Sequence, residues 1–183
     1  MPDSLIYSPA PYHIISYGVL LGSQVFQTFV GGIVAFRSLP RPQFATLQSA
    51  IFPVYFSMQT VLPIILAITL PAERAAIGMV PSSISGVLEP ANRFRVLVPL
   101  SIMLATAAAN LIYLGPVTTQ TMKERKHQET RDGKKSYDPP PHSKQMQALN
   151  ERFSRLHGAS SLVNVVSLGA AIWYGFYLAE RIS

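Results

Sequence analysis

From His13 to Phe36 the chain carries no charged residue, and three later stretches of similar length repeat the pattern. The hydrocarbon core of a bilayer is about 30 Å thick, which a helix of about 20 mostly apolar residues crosses. The other stretches run from about Ser49 to Leu70, from Val96 to Thr119 and from Gly158 to Ala179. Helices buried in a soluble bundle keep charges on a solvent face. These stretches have none. The sequence therefore predicts an all-α fold: one integral membrane bundle of four transmembrane helices over residues 1–183.

Only 13% of the residues are charged, about half the share of a soluble domain. Cysteine is absent, which removes disulfides and a thiol nucleophile. Residues 1–12 hold no Lys or Arg, and the apolar stretch behind them is too long for a signal-peptide core. The first span is expected to remain as an anchor.

Lys and Arg concentrate on the cytoplasmic side of multi-pass proteins. The segment 120–157 holds nine: Lys123, Arg125, Lys126, Arg131, Lys134, Lys135, Lys144, Arg152 and Arg155. With Arg37 and Arg41 in the first loop that side carries eleven, against four at Arg74, Arg93, Arg95 and Arg181. Loops 37–48 and 120–157 are expected in the cytoplasm, or in the matrix of a mitochondrion, with both termini opposite. In the second loop Pro71, Gly78, Pro81, Gly86 and Pro90 discourage a long helix. Val80, Ile84, Val87 and Leu88 suggest a short interfacial segment there. The basic segment should continue the third helix, break at Asp132-Gly133 and at Asp138-Pro139, and restart with Ser143 as N-cap of a helix running into span four.

The runs Y-H-I-I-S-Y-G-V-L-L-G-S-Q, F-V-G-G-I-V-A-F-R-S-L-P-R-P-Q-F and L-Q-S-A-I-F-P-V-Y-F resemble the transmembrane protein 205-like family. So do L-G-P-V-T-T-Q-T-M-K-E-R, which ends at Arg125, and R-F-S-R-L-H-G-A-S-S-L-V-N, which contains His157. The insert K-H-Q-E-T-R-D-G-K-K looks like a fungal-type version of the loop. The resemblance implies a small four-helix membrane protein with no settled biochemical activity. A remoter likeness is to four-helix membrane proteins that handle copper or haem.

Among the residues themselves, polar groups inside the spans stand out. Gln24, Gln27, Gln59, Asn110 and Asn164 would leave donors and acceptors unpaired in lipid, so they should point inward. Gln27, Gln59, Asn110 and Asn164, one per helix at comparable depth, suggest an internal polar layer. Glue between helices is the ordinary use of such groups; a polar solute pathway is the functional one. No Asp, Glu, Lys or Arg lies mid-span, which argues against a carboxylate proton pump. Gly18 with Gly22, Ala105 with Ala109, and Ala171, Gly175 and Ala179 keep the four-residue spacing of close helix contacts. Internal packing is the favoured use, a homo-oligomer face the other.

Arg37 and Arg41 are expected to anchor the end of span one, by bonding its last carbonyls or a lipid phosphate. Pro53, with Phe52 and Tyr55, should set a bend at the entrance of span two. His13 and His157 fall near opposite faces of the bilayer and cannot share an ion, whose ligands lie about 2 Å away. His157 beside Arg155, with Asn164 two turns on, forms the more suggestive group. No metal, cofactor or catalytic constellation is expected, because no nucleophile elbow, phosphate loop, zinc motif or paired intramembrane carboxylate occurs. The expected partners are the lipid bilayer and anionic headgroups at the basic segment. Nucleic acid is not among them, because few aromatics interleave the positive charges. Three readings stay open: a non-enzymatic membrane protein for small-solute or metal transport or trafficking, a haem- or copper-binding redox protein, and an adaptor using its basic loop.

Overall fold

The computed structural model describes residues 6–74, 79–80 and 82–181. Four long helices dominate: α1 Pro9–Ser38, α2 Arg41–Ile68, α4 Pro90–Asp132 and α5 Lys144–Glu180. Each is long and apolar enough to cross a membrane. Between α2 and α4 lie an antiparallel ladder of β1 Glu73–Arg74 with β2 Met79–Val80 and a short helix, α3 Ser83–Leu88. Val80 therefore belongs to the ladder rather than to the helix with Ile84, Val87 and Leu88. Gly78 and Pro81 lie outside the described residues.

The ends are set by local chemistry. Ser8 and Ser143 cap α1 and α5, their hydroxyls accepting from Ala10 N and Met146 N. Pro9 occupies the first turn of α1, where a missing N–H costs nothing. Gly133 ends α4 in the left-handed region at φ 61°, which glycine adopts without a Cβ penalty. Beyond the apolar stretches α4 and α5 continue as a paired hairpin, tied by Ser143 to Asp132 and by Arg152 to Glu124. The long extension of α5 on the basic side thus follows from its cap and from the partner helix.

Of the three wide π turns among the described residues, two have a cause in the sequence. Those at Arg93–Leu97 and Asn110–Leu114 each end two residues before a proline, Pro99 and Pro116. A proline ring clashes with the carbonyl four residues back, here Arg95 and Ile112, and a widened turn moves that carbonyl aside. The third, Gln27–Gly31, runs into Gly31-Gly32 instead.

The core gathers Leu20 of α1, Leu62 and Leu66 of α2, Met103 of α4, and Ala171 and Tyr174 of α5. Large apolar side chains also cover the outside: Phe26 on α1, Val54 on α2, Ile112 on α4 and Phe176 on α5 are all at least 59% exposed. Such a surface suits lipid rather than water. The apolar window of α1 is only 11% buried, against 33–39% for the others, so α1 lies at the edge. Its Gly18 and Gly22 face outward, with nothing near an added Cβ. Ala105 and Ala109 are exposed as well. Internal packing, the favoured use for these two pairs, is therefore corrected. Spacing alone does not say which way a small stripe faces when the whole helix is apolar.

Candidate functional site: a polar seam between the helices

Along α1 the residues His13, Tyr17, Leu20 and Gln24 follow spacings of four, three and four, which place them on one helical face. Three of them are buried and Tyr17 is half-buried. This face looks into the bundle, and the polar members find partners on α2 and α5.

At the end where α1 starts and α5 finishes, His13 sits between two helices. Its Nδ1 lies 3.1 Å from Thr69 Oγ1 of the α2 terminus and its Nε2 lies 2.7 Å from Tyr174 Oη of α5. The Thr69 hydroxyl already donates to Ile65 O at 2.6 Å. It can therefore only accept from Nδ1–H, which leaves Nε2 to accept from Tyr174. Both ring nitrogens are engaged, so neither is free for a metal or haem iron. Tyr17 packs edge-on against Tyr174 and donates to Ala171 O at 3.1 Å. Gly175 makes room for it, since a Cβ there would meet the Tyr17 hydroxyl. Arg181 closes this end by donating to Tyr177 Oη and to the carbonyls of Pro71 and Ala72.

Deeper in, Gln24 Nε2 donates to Ser167 Oγ at 3.0 Å and Gln59 Nε2 donates to Ser23 Oγ at 2.8 Å. Asn110 Nδ2 donates to Asn164 Oδ1 at 3.0 Å. Gln24, Gln59 and Asn110 are 2%, 3% and 0% exposed, so these amides do point inward, but as pairs rather than as one layer. Gln27 does not join them. It is half-exposed and its Oε1 lies along its own helix near Gly31. No residue of α1 after Gln24 is buried, which is why an amide three residues on misses the interior. Asn110→Leu should lower stability by about 0.6–2 kcal/mol, the range for intramembrane polar contacts. Thermal unfolding in detergent measures it.

The remaining expected residues lie outside the seam. Arg37 is exposed at the last turn of α1, while Arg41 sits 3.8 Å over the Phe36 ring. Pro53 is exposed on α2, which continues through it, and Phe52 beside it stacks on Phe56. Arg125 donates to Asn150 Oδ1 at 2.9 Å and lies over Phe153. Burial lowers its pKa from the ordinary value while Glu129 pulls it back, and a guanidinium starts high enough to stay charged. His157 is exposed and stacks on Phe153, while Arg155 pairs with Glu151. The expected grouping of His157, Arg155 and Asn164 is therefore not formed, because Asn164 turns to Asn110 instead.

Among the described residues, no three His, Asp or Glu side chains gather as a metal site. Ser167 of span four was expected to point inward and does; sequence reasoning passed over Tyr174 and Ser23 as seam members. The four-three-four face beginning at His13 was the signal that could have found their partners.

Four apolar helices that turn amides, hydroxyls and a histidine toward one another and hydrocarbon outward define a multi-pass helical membrane protein. Within that class the chain belongs to the family DUF4149, described as a domain of unknown function, which matches residues 15–127. It is similar to the Xanthocillin biosynthesis cluster protein D of Aspergillus fumigatus, at 33% identity over 172 residues, spanning 94% of this chain and 90% of that protein. No solved structure matches it.

Proposed function

We propose that this chain is a non-enzymatic membrane protein that carries a small polar solute along the seam between its helices. The observation that carries this reading is the burial of Gln24, Gln59 and Asn110 deep between otherwise apolar helices. Intramembrane polar groups are costly in lipid and gather where solutes pass. The relative's name ties that protein to a biosynthesis cluster, and a membrane protein serves such a cluster by moving or holding its compounds. The runs quoted above resemble the transmembrane protein 205-like proteins, which accords with this reading. By its eleven-to-four excess of Lys and Arg, loops 37–48 and 120–157 face the cytoplasm, where exposed Lys123 and Lys126 meet anionic headgroups.

The other two readings have less support. A haem or copper role would have to dislodge His13 Nε2 from the Tyr174 hydroxyl. An adaptor role would draw on a segment folded back on itself, with Glu129 accepting from Ser136 N and Oγ.

Reconstitution into liposomes tests the proposal. Wild-type protein should raise the flux of small polar solutes several-fold over empty vesicles, and Gln59→Leu or Asn164→Leu should remove most of that increase. Equal flux for wild type and both variants rejects the seam as the route.

A further inference from the structure

Among the described residues, three interior side-chain oxygens meet no donor: Gln24 Oε1, Gln59 Oε1 and Asn110 Oδ1. The orientations of Gln59 and Asn110 are set by neighbours that accept, while Gln24 donates to the Ser167 hydroxyl. The Ser23 hydroxyl gives its proton to Val19 O or Leu20 O, at 2.7 and 3.0 Å. It must therefore receive Gln59 Nε2, which turns Oε1 away. Asn110 Nδ2 lies 3.5 Å from the backbone carbonyl of Ser160 and 3.0 Å from Asn164 Oδ1. Turning that amide over would set oxygen against oxygen.

The three oxygens come from three helices at similar depth. Ser23, the partner of Gln59, is the chain neighbour of Gln24. The partners of Gln24 and Asn110 on α5, Ser167 and Asn164, lie about 4.5 Å apart along the axis, less than one turn. Asn110 also opens a π turn, a distortion that recurs at functional sites. Buried acceptors without donors destabilise a fold unless something supplies the donor.

The chemistry of the missing donor is constrained. An anion would face three oxygens. A cation would be buried with no carboxylate, because no Asp or Glu lies in any span. We infer that Gln24, Gln59 and Asn110 form an acceptor-lined site for a small neutral solute bearing several O–H or N–H donors. This rests on the solute-carrying reading above and narrows it to a chemical class.

The test uses the full chain with its glutamine side-chain carbonyls labelled with carbon-13, reconstituted in liposomes. Infrared spectra of wild type minus Gln59→Met isolate the Gln59 band, and subtraction of Gln24→Met gives an independent reference should the first variant misfold. Glycerol, with three hydroxyl donors, should move the isolated band to lower frequency, and sodium formate should leave it in place. Re-swelling of the same vesicles should show glycerol entering faster than formate. A band unmoved by glycerol overturns the inference, whether it sits at the free position or at the hydrogen-bonded position that resident water would give. If flux nevertheless depends on Gln59, the transport reading survives alone. A glycerol-shifted band without flux keeps the site and rejects the transport reading.

Discussion

Replacing Gly115 with alanine should destabilise the protein by about 1–3 kcal/mol, the usual cost of forcing extra volume into a packed interior. The reason is the wide turn at Asn110–Leu114. There the Gly115 N–H bonds back five residues to Asn110 O. A Cβ on residue 115 would lie 2.7 Å from that carbonyl oxygen and 3.3 Å from the Phe56 ring of α2. The first neighbour is backbone and cannot swing aside, so the turn itself must shift, and Asn110 with it. Gly18→Ala and Gly22→Ala serve as matched controls, because an added Cβ meets nothing at either place. Thermal unfolding of the detergent-solubilised proteins, followed by helicity, compares the three. A Gly115→Ala midpoint equal to that of the controls would show that the wide turn is not held as described.

The four spans were legible because lipid demands something easily seen: long runs without charge. The hairpin beyond them was legible for a different reason. Asp132-Gly133 and Ser143 are end signals that act locally, and each sits at the end of the helix it was expected to bound. What the sequence hid was rotation. A soluble helix displays its charged face and so reveals its inner one, but α1 carries no charge on any face between His13 and Phe36. Gln24 and Gln27 then look equivalent by charge alone, and only the face that begins at His13 distinguishes the buried amide from the half-exposed one. The same ambiguity turned Gly18 and Gly22 the wrong way. Two of the wide turns did leave a trace, a proline two residues downstream. Expecting an ordinary helix, one reads that proline as a simple kink.

His13 was legible as unusual and illegible in its role, since its partners Thr69 and Tyr174 lie 56 and 161 residues away. A double-mutant cycle on His13 and Tyr174 should expose that role. Tyr174→Phe removes the hydroxyl and leaves Nε2 a buried acceptor without a donor. His13→Leu leaves the Tyr174 hydroxyl stranded at 0% exposure. Each single change should cost about 1–3 kcal/mol, the penalty for a buried polar group deprived of its partner. The double variant strands neither of the two facing groups. It should cost less than the sum of the singles, with a coupling of about 1–2 kcal/mol, within the range for residues in direct contact. The histidine tautomer supplies a second, independent readout. Because Thr69 spends its proton on Ile65 O, the Nδ1 of His13 carries the hydrogen and Nε2 is bare, a difference that nitrogen NMR of labelled histidine distinguishes. Tyr174→Phe should shift the Nε2 resonance while leaving Nδ1 near its wild-type position. Additive energies, or an Nε2 that carries the proton, would mean that the link between α1 and α5 at this end of the seam is not the hydrogen bond described.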